Sequence, residues 1–389
     1  MGRSGVLILG SDDVRLRIPL MLELRNRGFA VEAVGTAAEG PFRDHAIPYT
    51  RYELTRSVSP LSDLATLRQL QGIFEARRPD LVHAFTTKPA ILGPLAARRA
   101  GVPGIVRSVT GMGYLFSSRS PVLLGLRPVY RILQRRASGA SDITIFQNQE
   151  DRDYFLRHRL VREGSDRLVR SSGVDLKQLE ASRPNAAALM NLRRELKLNG
   201  SLVITMVARL VKEKGVREYL EMARQVRSAM RNVIFLLVGP HPSRQRNAVS
   251  LGLVRRSAED VRWLGERPDV PALLAASDVA VLPTYYREGI PRFLLEAGVL
   301  GLPLVTTDMP GCRDAVRDGW NGFLLPPRDA SAFAAAILKL LRSRSLREAM
   351  GARSVGLVRE QFGLDRVAES HARIYEGILK RAEPVTGAA

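Results

Sequence analysis

Short, almost wholly apolar runs, each followed by a stretch with helical spacing, are what most constrain this chain. Runs over 6–9, 81–85, 202–207, 233–238 and 279–282 show no regular alternation of polar and apolar residues. Strands of that kind are covered on both faces, as in a parallel sheet packed between helices. In the first half, strands are expected over 6–9, 29–34, 81–85, 105–109, 143–146 and 168–171. Helices are expected over 16–27 and 89–99, and Leu64, Leu67, Leu70 and Phe74 fall on one helical face. After a connector over 176–200 that holds a polar helix, the alternation restarts. Strands are expected over 202–207, 233–238, 261–264, 278–282, 304–306 and 323–325, and helices over 217–230, 330–342, 345–361 and 364–381. The class is α/β with doubly wound sheets.

A chain of 389 residues exceeds the usual size of one hydrophobic core, so two domains are expected. The boundaries read as 1–180 for an N-terminal domain, 181–200 for a linker and 201–363 for a C-terminal domain. A final helix follows over 364–381, and then a disordered tail over 382–389. No apolar run approaches the roughly 18–20 residues that span a bilayer, and no signal peptide is expected ahead of the first strand. The single cysteine, Cys312, excludes an internal disulfide and fits a reducing compartment.

The net charge is +20, and its distribution is uneven. Between Asp80 and Asp142 there is no Asp or Glu, while Lys88, Arg98, Arg99, Arg107, Arg119, Arg127, Arg131, Arg135 and Arg136 all fall there. A solvated surface, a nucleic-acid site and attraction to anionic headgroups or a diphosphate-bearing acceptor all fit such a stretch. No nucleic-acid module accompanies it, and no nucleic-acid partner is expected. Within it, Leu123, Leu126, Tyr130 and Leu133 can form an apolar stripe edged by arginines. Pro128 argues against a clean helix over 122–138.

Glu288 and Glu296 stand eight positions apart across the junction that follows the run 279–282. Gly289 follows the first. Pro291 suits a first helical position, where its missing N–H would have no partner anyway. Glu288 is thus expected on a loop at the carboxyl end of a strand, and Glu296 one to two turns into a helix. In open α/β sheets that crevice takes ligands, and the free N–H groups of a helix start favour an anion such as a diphosphate. Arg209 and Lys214 lie five residues apart on the loop after 202–207, with Gly215 next. Two fixed cations there can bind a diphosphate, and stabilise it more as charge builds during bond cleavage. A solvated Lys/Glu loop is the plain alternative, disfavoured by the carboxylate pair downstream.

The motifs Ala208-Arg209-Leu210, Glu213-Lys214-Gly215, Leu237-Val238-Gly239, Trp263-Leu264-Gly265, the Glu288/Glu296 pair, Gly301-Leu302-Pro303 and Asp318-Gly319-Trp320-Asn321-Gly322-Phe323 occur in that order. In this the chain resembles the C-terminal domain of GT-B glycosyltransferases, specifically retaining family 4, the glycosyl transferases group 1. Thr87-Lys88-Pro89-Ala90 with Gly93, then Val109-Thr110-Gly111-Met112-Gly113-Tyr114-Leu115-Phe116, resembles a bacterial subgroup. Its members extend polyprenyl-diphosphate-linked glycans for surface polysaccharide or protein glycosylation.

The resemblance implies two Rossmann-like domains facing a cleft, with the C-terminal helix crossing back to the N-terminal domain. It implies transfer of a hexosyl or N-acetylhexosaminyl group from a nucleotide sugar, expected to be a UDP-sugar, with retention and without a metal. No cofactor is implied, because the nucleotide sugar is a substrate. Arg209 and Lys214 would hold the donor diphosphate, and Glu288 would face the transferred sugar. Glu296 would bond the ribose hydroxyls, and the N–H groups of Gly289 and Ile290 would lie near phosphates or sugar. The loop 263–267 would border the base, and Gly10, in Gly10-Ser11-Asp12-Asp13, would approach the donor phosphate or the acceptor. Asp12 and Asp13 also admit a divalent-ion reading.

On the acceptor side stand Lys88, Thr110 and Gly111, though a solvated helix-start lysine explains Lys88 equally well. Many members carry a histidine near 110–114, where this chain has none. His83, within a strand, is expected to be structural, and Cys312 has no histidine beside it to make it a nucleophile. The expected partners are the donor, a lipid-linked or other glycan acceptor and an anionic membrane surface. The expected place is the cytoplasm, peripheral on the inner membrane. A soluble small-molecule acceptor and a GT-B-like nucleotide-sugar epimerase are the alternatives.

Overall fold

The computed structural model describes residues 4–55, 59–117, 121–171, 173–243, 245 and 247–382. The tail expected to be disordered lies outside them, except for Ala382 at the end of a helix. The chain divides into two compact units, 1–173 with 364–389, and 174–363.

Unit 1 is a seven-stranded parallel sheet. Its strands are β1 (Gly5–Leu9), β2 (Ala30–Gly35), β3 (Tyr49–Arg51), β4 (Leu81–Phe85), β5 (Gly104–Val109), β6 (Ile143–Phe146) and β7 (Asp166–Leu168), in the order β3-β2-β1-β4-β5-β6-β7. Side chains alternate across a strand, and β1 shows how that divides the core. Val6 and Ile8 pack with the helices Ile18–Asn26 and Leu364–Ala382 on one face. Leu7 and Leu9 pack with Pro60–Arg77 and Pro89–Arg99 on the other. The C-terminal helix therefore belongs to unit 1, far in sequence from the strands it covers.

His83 of β4 lies wholly inside that core. Its Nδ1 is 2.6 Å from the Tyr375 hydroxyl and its Nε2 is 2.8 Å from Ser108 Oγ. Its role is to join the sheet to the last helix. Burial, with His371 and Arg17 adding to it, pushes its pKa well below the ordinary value.

Unit 2 is a six-stranded parallel sheet of β8 (Leu202–Val207), β9 (Val233–Val238), β10 (Val261–Trp263), β11 (Val279–Leu282), β12 (Leu304–Thr307) and β13 (Gly322–Leu325), in the order β10-β9-β8-β11-β12-β13. The strand order reverses between β8 and β11. The loops leaving those two strands consequently diverge around a crevice at their carboxyl ends.

Local reading fails where tertiary context decides. Residues 176–200, read as connector, belong to unit 2 and carry two helices, Leu176–Ala181 and Ala186–Glu195, capped by the side chains of Asp175 and Asn185. The edge strand β3 is three half-exposed residues with no periodic signal. The strand expected over 168–171 lies instead at Asp166–Leu168. Pro128 does not break its segment, since one helix runs over Pro121–Ala140. The proline is exposed, so the carbonyl it leaves without an N–H can be met by water.

Burial pushes the His371 imidazole down to about 4 from 6.5. Folded, it stays neutral where the unfolded chain would protonate, so the unfolded state binds more protons below pH 6.5. Stability present above that pH should be lost as pH falls toward about 4, by a few kcal/mol at most. Urea unfolding across that range should show the decline, to which the depressed His83 also contributes, and His371→Leu should make it shallower. An equal slope in the variant would remove His371 from the account.

Candidate functional site

The crevice of unit 2 is built by the loop after β8 meeting the loop after β11. The carbonyl of Glu213 accepts the N–H of Tyr285 at 2.8 Å and the hydroxyl of Thr284 at 3.1 Å. The next turn must come close to β11. Gly215 has φ +78°, and a Cβ there would sit 1.9 Å from the Pro283 carbonyl oxygen. Only glycine fits a left-handed residue against another backbone at that distance.

This contact carries Lys214 onto Glu288. The ammonium donates to both carboxylate oxygens, at 2.8 and 2.6 Å, and the two side chains are only 16% and 18% exposed. Thr284, fully buried, adds a weaker hydroxyl donation to Glu288 at 3.4 Å. The Tyr286 ring lies 5.8 Å from the Lys214 ammonium. A shielded ion pair of this kind is strong in Coulomb terms and exchangeable, because an anionic ligand can compete for the same ammonium.

Arg209 follows β8 on the same loop. It is exposed, with no side-chain hydrogen bond or ion pair among the described residues. Glu213 is turned inward, where its carboxylate accepts from Asn247 Nδ2 at 2.8 Å. Glu296 sits in the second turn of the helix Arg292–Val299 and accepts from Arg292 Nε at 2.6 Å. Pro291 is the residue before that helix rather than its first.

The backbone at Gly289 is pinned by Gly311, whose φ is +79° and whose Cβ would fall 1.5 Å from the Gly289 oxygen. Ile290 next to it is buried. Trp263, on the β10 side, donates its indole N–H to the Gly239 carbonyl at 3.0 Å, and Arg267 holds Asp269 by two bonds at 2.8 and 2.7 Å. Cys312 lies beneath, wholly buried, and burial pushes its thiol up to about 12. It holds its proton at neutral pH, which rules out a thiolate nucleophile there.

Unit 1 holds the remaining candidates. Gly10 directly follows β1, its N–H donating to Val34 O at 3.0 Å and its carbonyl accepting from the Tyr52 hydroxyl at 2.9 Å. Asp13 accepts from Ser11 Oγ at 2.7 Å and from Arg17 at 3.3 Å. Among the described residues no group of three His, Cys, Asp or Glu side chains is placed to hold a metal ion. Lys88 is tied down rather than solvated, donating to Asp63 Oδ1 at 2.5 Å and to the Thr55 carbonyl at 2.7 Å. Thr110 is half-buried and Gly111 turns the chain at φ +120°.

Of the residues singled out by sequence, then, the structure joins Lys214 to Glu288 and sets Arg209 on the same loop. It gives Glu296 and Lys88 local partners that the sequence reading did not name. Thr284, Asn247, Arg292 and Gly311 were missed. Three had a visible signal: a hydroxyl two positions after a buried strand, a glycine after Pro310, and an arginine four positions before Glu296.

The family pattern described as "Glycosyl transferases group 1" matches residues 201–343, and the "Glycosyl transferase 4-like domain" matches 19–169. The UDP-Gal:alpha-D-GlcNAc-diphosphoundecaprenol alpha-1,3-galactosyltransferase of Escherichia coli is 30% identical over 299 residues, 75% of this chain and 74% of that protein. The N,N'-diacetylbacillosaminyl-diphospho-undecaprenol alpha-1,3-N-acetylgalactosaminyltransferase of Campylobacter jejuni is 25% identical over 374 residues, 95% and 97% of the two chains. Among solved structures, Alr3699/HepE of Anabaena in complex with UDP superposes with a TM-score of 0.77 at 18% identity, covering 96% of this chain and 100% of that one.

Gly215→Ala tests the close approach that joins the two loops. The left-handed conformation alone should cost about 1–2 kcal/mol, with the collision at Pro283 adding to it. Urea unfolding should show the loss, and an unchanged midpoint would mean that the loops need no glycine.

Proposed function

The chain is a member of the glycosyl transferases group 1, with the GT-B fold of two Rossmann-like domains, and on that premise we propose the finer identity of its reaction. It transfers a hexose or N-acetylhexosamine from a UDP-sugar to a polyprenyl-diphosphate-linked glycan, with retention at the anomeric carbon. It needs no metal ion or other cofactor. It works at an anionic membrane surface, peripherally and on the cytoplasmic face.

The observation that carries this reading is the Lys214–Glu288 pair at the carboxyl ends of β8 and β11, with Arg209 on the same loop. A diphosphate entering there meets two cations. Negative charge on the departing diphosphate grows as the sugar leaves, so both cations act more strongly on the transition state than on the bound donor. Glu288 exchanges the ammonium for the sugar it faces, and Glu296, already oriented by Arg292, bonds the ribose hydroxyls. The N–H groups of Gly289 and Ile290 serve the phosphates or the sugar, Gly10 serves the donor phosphate or the acceptor, and Lys88, Thr110 and Gly111 serve the acceptor. The acceptor hydroxyl attacks on the face the leaving group departs from and passes its proton to the departing phosphate.

The lipid-linked acceptor is supported by relatives whose names specify diphosphoundecaprenol glycans. The membrane surface is supported by the acid-free, basic interval 81–141. Among the described residues no helix is long and apolar enough to cross a membrane. Metal independence is supported by the engagement of Asp13 with Arg17, which leaves Arg209 and Lys214 to carry the cationic role.

A transfer screen of several nucleotide sugars against a polyprenyl-diphosphate glycan tests the reaction. No transfer from any UDP-sugar would overturn it. Glu296→Ala should weaken UDP binding about tenfold or more, as expected for losing a charge-assisted bond of roughly 1.5–3 kcal/mol. Calorimetry giving the wild-type affinity would end that role. Lys214→Ala and Arg209→Ala should each lower kcat about 100-fold, by analogy with removal of one preorganised donor. A rise in KM alone would assign them to binding only. Activity should survive EDTA. Its loss, with recovery on adding a divalent ion, would return the metal reading at Asp12 and Asp13.

A further inference from the structure

The helix Pro121–Ala140 of unit 1 presents large apolar side chains to solvent. Val122 is 72% exposed, Val129 52%, Ile132 53% and Leu133 38%. At 3.6 residues per turn these four fall within about 100° of arc, so they form one ridge rather than scattered exposures. The sequence pointed to a different stripe. Tyr130 is buried, while Leu123 and Leu126 are half-buried, so of that set only Leu133 lies on the ridge. The opposite side of the helix is fixed in the core, where the Gln134 side chain accepts from the fully buried Arg107.

On the other flank of the exposed face run Arg127, Arg131 and Arg135, at i, i+4 and i+8. Arg131 donates to the Tyr154 hydroxyl at 2.8 Å, and Arg135 to the carbonyls of Arg159 and His158 at 3.0 and 3.2 Å. These partners are neutral, so the bonds hold the guanidiniums in place without cancelling their charge. At the carboxyl end of the helix a shallow cavity of about 590 Å³ is walled by Arg98, Arg135, Arg159 and Arg162. Its one lining carboxylate, Asp142, accepts the Ile105 N–H at 2.7 Å and pairs with Arg98 at 3.7 Å, which leaves Arg135, Arg159 and Arg162 to give the cavity its positive charge. The helix itself carries no Asp or Glu.

We propose that this helix docks unit 1 on an anionic bilayer, with the Val122–Leu133 ridge entering the headgroup–acyl boundary and the arginine cavity at its end seating a lipid phosphate. The inference rests on the membrane-surface reading above and names the element that makes the contact. An apolar ridge beside Arg131 and Arg135, whose guanidiniums are fixed by neutral partners, matches both layers of such a surface, hydrocarbon below and phosphate above. A protein partner would leave the row of positive charge to be matched by a separate acidic face. The bilayer matches ridge and charge at once.

The full-length protein would be co-sedimented with phosphatidylglycerol and phosphatidylcholine vesicles over a salt series. Wild type should bind the anionic vesicles, less so as salt rises. Val129→Ser with Ile132→Ser should weaken binding by roughly tenfold per side chain removed from the boundary. Arg159→Gln with Arg162→Gln should weaken it about fivefold per charge, on anionic vesicles only, and flatten the salt dependence. All four positions are exposed or on the ridge and lie outside the donor site, so unfolding midpoints and UDP affinity should stay at wild-type values.

Three results would overturn the proposal. One is wild type ignoring phosphatidylglycerol at low salt. Another is ridge variants that bind vesicles as wild type does. The third is a concentration-dependent dimer that the ridge variants abolish, which would make the ridge a self-association face. Transfer to a polyprenyl-diphosphate acceptor in detergent reads the reaction separately. Transfer without vesicle binding removes the docking and keeps the reaction. Ridge-dependent vesicle binding without transfer does the reverse.

Discussion

The site in unit 2 depends on one close backbone approach. Gly215 lies against Pro283, and the Glu213 carbonyl takes donors from both Tyr285 and Thr284. Each of those hydrogen bonds is worth only about 1 kcal/mol. Their effect is geometric, since they fix two loops from strands that adjoin only because the sheet order reverses between β8 and β11. A second contact of the same kind, Gly311 against Gly289, holds the far side of the Glu288 turn. With both in place, the Lys214 ammonium has little choice of partner. The ion pair follows from where the backbone is held, and removing either charge would leave the other shielded and unmatched.

What was legible in the sequence is what short-range chemistry determines. Buried parallel strands are apolar runs whatever surrounds them, so β1, β4, β8, β9 and β11 could be read directly. The glycine-bearing motifs could be read for the same reason, because left-handed backbone needs glycine wherever it occurs. The E-x7-E spacing located Glu288 and Glu296 but not their partners. Arg292 reaches Glu296 simply because i and i+4 face each other on a helix, a pairing visible in the sequence but eclipsed by the functional reading. Lys88 was different, since Asp63 lies 25 positions away on another helix and no local rule predicts that encounter. The helix Pro121–Ala140 was misread because Pro128 carries a general penalty that its exposed position relieves. Which of its apolar residues face inward was set by Arg107 and Gln134, a contact invisible until the sheet is assembled.

The excess of arginine has a structural use that a charge count conceals. Arg193 donates to the carbonyls of Ala276, Leu198 and Ser201, at 2.5, 3.0 and 2.9 Å. Arg347 takes the Leu340 and Leu341 carbonyls at the end of the helix Ala330–Arg342, at 2.8 and 2.9 Å. Arg25 bridges the carbonyls of His45 and Ala46, both at 3.1 Å. In each case the planar guanidinium satisfies backbone acceptors that a helix end or turn leaves open, which a lysine ammonium does less well for lack of the fork.

Stapling loops through carbonyls rather than carboxylates has a further consequence. The bond is made, yet the positive charge is not neutralised, so structural arginines still contribute to the long-range field. In the interval 81–141, which itself carries no Asp or Glu, this matters most. Arg135 there holds the backbone at 158–159 while also lining the cavity at the helix end. One residue type thus anchors the fold and charges the face, and the two roles need not compete because they use different properties of the same group.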